Sequence, residues 1–149
     1  MKRPARRRSR DPKVERLSQV QLFSTCGNRE LARIAALTTE IDVRAGKVLM
    51  RQGEPGRECF VIEEGTARAT IPGRKNTIMG PGDCFGEMAL LLDSARRTAT
   101  VTAESDMRVL VLTAREFTAL LEDVPSVARK VLAVVGERLG NAERAQPHH

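Results

Sequence analysis

The chain has 149 residues, of which 41% are apolar and 30% charged, and a formal net charge of +6. This composition favours one compact domain over a disordered polymer. No run approaches the roughly 18 consecutive apolar residues of a membrane-spanning helix, and no signal-peptide pattern is present, so we expect a cytoplasmic protein without a transmembrane segment.

The excess positive charge lies at the N-terminus. Residues 1–16 hold eight basic and two acidic residues, whereas residues 17–149 hold 17 of each. Like charges at this density repel one another, so we predict that residues 1–16 form a disordered basic tail and residues 17–149 a folded domain. The overall pI therefore says nothing about the partner of the neutral domain, and nucleic acid is disfavoured because the four phenylalanines, without Trp or Tyr, offer no stacking platform for bases. The tail suits contact with nucleic-acid phosphates or an anionic membrane.

A short helix is predicted around Asn28–Leu37. Asn28 is a suitable N-cap residue, and Leu31, Ile34 and Ala35 fall on one face of the helix. Because so short a helix is marginally stable alone, we expect it to dock on another element.

Residues 40–112 have the pattern of a β-barrel. Short β-branched or alternating runs are separated by glycine and proline turns at intervals of roughly 8–12 residues, which is typical of antiparallel barrels and jelly rolls. The alternation in Thr98–Ala103 predicts one strand, and the apolar run Arg108–Leu112 predicts a more buried one.

Two helices are predicted after the barrel, within about residues 114–145. Thr113 and Glu116 have the spacing of a capping box for the first, and Pro125 opens the second. The second helix carries an apolar stripe, suited to packing on the barrel or on a second chain, formed by Ala128, Leu132, Val135, Leu139 and Ala142. The predicted fold class is therefore α+β, an antiparallel β jelly-roll barrel flanked by a short N-terminal helix and two C-terminal helices.

The candidate binding residues lie in one segment that follows the glycine-rich turns. A helical turn after Gly86 would present free backbone N–H groups to an anion, and Glu87 in this turn can accept hydrogen bonds from hydroxyl groups. About ten residues later, Arg96 or Arg97 offers a guanidinium fork to phosphate oxygens, and Thr98 adds a hydroxyl. Together these groups describe a site for a ribose phosphate.

The sequence FGEMALL followed by RTATV resembles the phosphate-binding cassette of cyclic nucleotide-binding domains, and the resemblance extends from about Leu17 to Arg144. It implies that Glu87 binds the ribose 2′-hydroxyl and that Arg97 pairs with the cyclic phosphate. Thr98 and nearby backbone N–H groups would add further hydrogen bonds. The full set of binding residues implied by the resemblance is Gly86, Glu87, Met88, Ala89, Arg97, Thr98 and Ala99.

Two adjacent arginines compete for the phosphate. Many members of this family place the arginine where Arg96 stands, whereas the bacterial activator type has one more residue in the loop. Because Thr-Ala-Thr-Val follows Arg97 directly and matches the strand after the family arginine, we choose Arg97 and expect Arg96 to point to solvent.

Common catalytic and metal-binding groups are missing from the sequence. Residues 1–147 contain no histidine, so neither a histidine metal site of the cupin type nor a histidine-activated nucleophile can be formed. The cysteines form no CxxC pair, which predicts reduced thiols rather than a metal site, and no Walker phosphate loop is present. We therefore predict a protein that is not an enzyme and needs no cofactor.

The resemblance implies a stand-alone regulatory module whose ligand is cyclic AMP. Cyclic GMP is the alternative ligand, since a hydroxyl at the Thr98 position favours it in some channel and kinase relatives. In the family, ligand capture lets the last helix move over the base, so a downstream protein and a homodimer through this helix are the partners considered. The competing hypothesis is an electrostatic nucleic-acid or anionic-membrane binding protein that acts through its basic tail.

Overall fold

The computed structural model describes residues 11–92 and 96–145, without the side chains of 138, 139 and 141–145. The N-terminal region consists of α1 (Pro12–Ser18), a 3-10 turn (Gln21–Phe23) and α2 (Asn28–Ala35). The C-terminal region consists of α3 (Ala114–Asp123) and α4 (Pro125–Ala145). In the part of the chain described, every helix is too short or too polar to cross a lipid bilayer.

Between these helices, the described residues form two antiparallel sheets of four strands each. One sheet has the order β1-β8-β3-β6 and the other β2-β7-β4-β5. The strands are β1 (Thr39–Val43), β2 (Val48–Met50), β3 (Glu58–Glu64), β4 (Ala67–Thr70), β5 (Thr77–Met79), β6 (Cys84–Phe85), β7 (Thr100–Ala103) and β8 (Met107–Thr113). The predicted α+β class with a jelly-roll barrel is confirmed.

Strand β3 separates two hydrophobic cores. Its side chains alternate between the two faces of the sheet, so Phe60 and Ile62 join the core between the sheets. Cys59 and Val61 point to the opposite face and join the core formed with the helices. Strand β6, which leads into Gly86 and the residues after it, pairs with β3 and is thus fixed to a strand that is buried on both sides.

The N-terminal region is more ordered than predicted. The side chain of Asp11 caps α1 by accepting a hydrogen bond from the backbone N of Lys13 at 2.8 Å, and Pro12 occupies the first turn. Val14 and Leu17 lie one helical turn apart and are buried against the core. The last residues of the predicted tail therefore belong to the fold, because this apolar pair outweighs the local charge. Residues 1–10 lie outside the described residues, where disorder stays a prediction.

Helix α2 has the predicted apolar face but a different cap. Leu31, Ile34 and Ala35 are buried as expected. Asn28 is the first helical residue rather than the N-cap, which is Gly27. Glu30 replaces the cap expected from Asn28, since its Oε1 accepts a hydrogen bond from the backbone N of Gly27 at 2.8 Å.

The predicted stripe along α4 is displaced by about one residue position at its start, whereas Val135 packs partly buried against the core as predicted. The side chains of Leu139 and Ala142, which belong to the same prediction, lie outside the described residues. Val127, Val131 and Val134 form the buried face, whereas Leu132 is 68% exposed and Ala128 is half-buried. Both sets of residues recur at helical spacing, so α4 carries two adjacent apolar faces. Docking against the 3-10 turn and α3 decides which of them is buried.

Glu63 is an unusual acid in the described fold. It occupies the bulge in β3, and its Oε1 is buried without a hydrogen-bond donor among the described residues. Burial, followed by a hydrogen bond and the like charge of Glu40, raises the pKa of Glu63 to about 7. An acid whose pKa is raised in the folded state contributes stability below its ordinary pKa and loses it as the pH rises through the folded value.

We therefore expect Glu63→Gln to stabilise the protein by about 1 kcal/mol at about pH 8 and by much less near pH 5. The amide avoids ionisation in a poorly solvated position, which matters only where the native carboxyl is charged. Urea denaturation at the two pH values measures the effect. Glu64→Gln, at the exposed neighbouring residue that pairs with Arg108, is the matched control. An equal gain at both pH values would contradict the expected role of the proton.

Candidate functional site

A cavity of about 240 Å³ lies beside the segment that follows β6. It is lined by Met50, Gly56, Gly86, Glu87, Met88, Ala89, Arg96, Arg97 and Thr98. Six of the seven predicted binding residues therefore line one cavity. The seventh, Ala99, does not line it and is 6% exposed.

The cassette is built on a short strand and a tight turn. Phe85 pairs with Phe60 across β6 and β3, and their rings stack with centroids 4.9 Å apart. Gly86 then adopts a left-handed conformation with φ +79°, and residues 87–90 form a single 3-10 helix, the predicted helical turn. The backbone N of Ala89 donates to the carbonyl of Gly86 at 3.1 Å, so this amide already takes part in the cassette turn.

Two glycines form a close cradle around the Arg97 guanidinium. A Cβ atom at Gly86 would lie 2.7 Å from Nη1 of Arg97 and 2.9 Å from the carbonyl oxygen of Glu58. A Cβ atom at Gly56 would lie 2.8 Å from the same Nη1. Both positions therefore exclude a side chain as long as the arginine keeps its place.

Among the described residues, Arg97 is the one charged residue that is buried, with 7% of its surface exposed. Its backbone N donates to the carbonyl of Glu54 at 2.9 Å, and its carbonyl accepts from Gly53 at 2.8 Å. Its guanidinium carbon lies 5.9 Å from the centre of the Phe60 ring, within cation–π distance. These contacts hold the side chain against the wall of the cavity.

The charge of Arg97 is only partly balanced within the described residues. Its Nη2 lies 3.4 Å from Oε1 of Glu58, a long contact to a side chain that is 43% exposed. Burial lowers the pKa of the Arg97 guanidinium, and the nearby Glu58 acts in the opposite direction. Because a guanidinium stays protonated in proteins, the result is a poorly solvated cation that favours an anion in the cavity.

Glu87 and Thr98 line the same cavity but differ in their exposure to solvent. Glu87 is half-buried at the first position of the cassette helix, while Thr98 is exposed. Thr98 precedes the strand rather than starting it, since β7 begins at Thr100. The predicted strand starts two residues too early because the backbone of Arg97 bonds to the loop at residues 53–54 instead of a neighbouring strand.

Three of the lining residues are not in the predicted set of binding residues, although one of them, Arg96, was the alternative to Arg97 for the phosphate. Met50 ends β2, and Gly56 stands out in the sequence only as a turn residue. Arg96 is exposed as expected, yet it also lines the cavity, with Nη1 3.5 Å from the carbonyl of Gly53. Motif spacing shows no signal for Met50 and Gly56, because they reach the cavity from a strand and a loop that are distant in the chain from the cassette.

No described residue of α4 lines this cavity. The helix instead packs against the 3-10 turn Gln21–Phe23 and against α3. In this arrangement, the described part of α4 contributes no residue to the cavity.

Comparison with known proteins identifies the family. Residues 40–124 match the family model of the cyclic nucleotide-binding domain. A cyclic nucleotide-gated potassium channel of Mesorhizobium japonicum is 34% identical over 129 residues, which cover 87% of this chain and 36% of that protein. The cyclic AMP receptor protein of Thermus thermophilus is 33% identical over 103 residues, which cover 66% of this chain and 47% of that protein.

A solved structure agrees with these relatives. The N-terminal domain of a transcriptional regulator from Streptomyces coelicolor superposes with a TM-score of 0.78 at 27% identity, covering 93% of this chain and 99% of that one. The chain spans about a third of the length of the channel relatives that it matches. Since the family model covers more than half of the sequence and the fold agrees, the chain belongs to the cyclic nucleotide-binding domain family.

Proposed function

We propose that this chain binds a cyclic nucleotide, cyclic AMP in the first place, as a non-catalytic sensor module. The observation that carries the proposal is the buried guanidinium of Arg97 on the cavity wall, balanced by one long contact to the partly exposed Glu58. A cyclic phosphodiester would supply a negative charge and two oxygens that match the guanidinium fork. A charge-assisted pair of this kind is stronger in a poorly solvated cavity than at the surface.

The sugar would bind at the cassette. Glu87 stands at the first position of the cassette helix and lines the same cavity as Arg97, so its carboxylate can accept a hydrogen bond from the ribose 2′-hydroxyl. Thr98 and the backbone around Gly86 are proposed to complete the phosphate contacts. Ala99, which is buried and does not line the cavity, would contribute through its backbone alone.

The choice of cyclic AMP rests on relatives rather than on the cavity. The Thermus thermophilus relative is named for cyclic AMP, and its similarity covers 66% of this chain. Cyclic GMP remains the alternative ligand because Thr98 offers a hydroxyl at the cavity rim. No separate cofactor is part of the proposal.

The output of the module is proposed to be a movement of α4. A ligand shifts this helix only by its different affinity for two helix positions, and a coupling of about 1–3 kcal/mol is ordinary for such systems. The exposed side of α4 around Leu132 offers a surface for a second copy of the chain or for a downstream protein. The competing proposal of a basic tail that binds nucleic acid or membrane rests mainly on residues 1–10, which hold six of its eight basic residues and lie outside the described part of the chain.

A thermal-shift comparison tests the ligand. We expect cyclic AMP to raise the melting temperature most, cyclic GMP less, and 5′-AMP hardly at all, because only the ring-closed phosphate presents a single charge at the position of Arg97. A ligand at a hundred times its Kd stabilises the folded state by about 2.7 kcal/mol. An equal shift with 5′-AMP would contradict recognition of the cyclic phosphate, and no shift with either cyclic nucleotide would contradict the proposed function.

A further inference from the structure

Three donors, two from α4 and one from the turn before α2, converge on the carboxylate of Glu30. Nζ of Lys130 lies 2.6 Å from Oε1, and the backbone N of Gly27 donates to the same oxygen at 2.8 Å. The hydroxyl of Ser126 donates to Oε2. Ser126 and Lys130 belong to the first two turns of α4, so the carboxylate of Glu30 fastens the start of α4 to α2. We call these four residues the Glu30 clamp.

The clamp is better shielded from solvent than an ordinary surface ion pair. The side chain of Glu30 is 13% exposed and that of Lys130 is 38% exposed. Hydrogen bonds from Lys130, Ser126 and Gly27, in this order of effect, lower the pKa of Glu30 to about 2. The carboxylate is therefore charged throughout the physiological pH range, so the clamp does not depend on pH within that range.

The clamp holds α4 in a position in which no described residue of this helix lines the cavity. Glu30 cannot follow a moving α4, since Leu31 and Ile34 anchor α2 in the core with no exposed surface. Lys130 and Ser126, by contrast, are carried along by any displacement of α4 as a unit. A movement of the helix toward the cavity therefore separates the two halves of the clamp.

We propose that the Glu30 clamp sets the cyclic nucleotide affinity of this protein by holding α4 away from the cavity. The proposal rests on the proposed function, because it needs a ligand that favours a second position of α4. A contact that exists in only one of two positions stabilises that position and lowers the apparent affinity of a ligand that requires the other. Glu30 and Lys130 are thus positioning residues remote from the ligand.

Calorimetry with cyclic AMP and thermal melting, applied to the full chain and its variants, test the clamp. We expect Glu30→Gln and Lys130→Gln each to bind cyclic AMP roughly three- to tenfold more tightly while lowering the melting temperature without ligand. The double variant should gain little beyond either single variant, because both remove the same contact. A residue with a merely structural role would lower stability without tightening binding.

Arg129→Gln is the matched control for Lys130→Gln. Arg129 is the exposed neighbour of Lys130 and carries the same charge, so its removal should leave the affinity unchanged. If Glu30→Gln fails to fold, Lys130→Gln still breaks the ion pair while Ser126 and Gly27 keep Glu30 bonded. If the wild type binds cyclic AMP and the variants bind it equally or more weakly, the clamp proposal alone is overturned. If the wild type binds no cyclic nucleotide, the proposed function and the clamp are both overturned.

Discussion

Replacement of Arg97 by alanine is expected to weaken cyclic AMP binding by at least about 30-fold, which corresponds to about 2 kcal/mol. The substitution removes the buried guanidinium of the cavity wall, and the loss of a charge-assisted contact in a poorly solvated site has this magnitude. The affinity of Arg97→Lys for cyclic AMP should lie between those of the wild type and Arg97→Ala, since lysine keeps the charge but lacks the planar fork. Isothermal titration calorimetry measures all three affinities.

Arg96→Ala is the control for this prediction. Arg96 is the exposed neighbour on the same cavity, with a single long contact to the carbonyl of Gly53. We expect its removal to change the affinity less than about threefold, as for other exposed charges. Thermal melting without ligand checks that each variant is folded. If Arg96→Ala caused the large loss and Arg97→Ala did not, the assignment of the phosphate to Arg97 would be wrong.

Gly86→Ala is expected to reduce the free energy of unfolding by about 2–3 kcal/mol and cyclic AMP affinity by more than about tenfold. Two effects combine at this residue. Its φ of +79° strains any L side chain, and the new Cβ would meet the guanidinium of Arg97 and the carbonyl of Glu58 at less than 3 Å. The carbonyl belongs to the buried strand β3, so the arginine and the cassette are the parts that must move.

Gly46→Ala separates these two effects. Gly46 has a comparable φ of +93°, but a Cβ atom added there would have no neighbouring atom within 4 Å. This variant should therefore show only the backbone strain, about 1 kcal/mol, and unchanged binding. Urea denaturation and calorimetry compare the two variants. Equal losses at both glycines would show that the close approach to Arg97 has no energetic effect.

Local patterns in the sequence were sufficient for most of the architecture. The apolar run Arg108–Leu112 predicted the strand that ends the barrel. The spacing of Thr113 and Glu116 predicted the start of α3, where the hydroxyl of Thr113 accepts from the backbone N of Glu116 at 3.1 Å. Such signals involve residues a few positions apart, which meet within one turn of helix or along one strand. Local patterns did not predict helix α1 (Pro12–Ser18). Its two buried apolar residues lie among many charged residues, and the residues they contact are distant in the chain.

The spacing of turns and the periodicity of apolar residues were sufficient for the fold class, and the FGEMALL and RTATV motifs were sufficient for the family resemblance and the candidate binding residues. Only the tertiary structure decided that Gly56 packs closely against Arg97 and that Glu58 pairs with Arg97. It also decided that α4 buries Val131 rather than Leu132. Motifs show which residue types are present at short spacing. The cavity and the buried face of α4 depend on contacts between segments that are distant in sequence, and packing brings those segments together only in the folded chain.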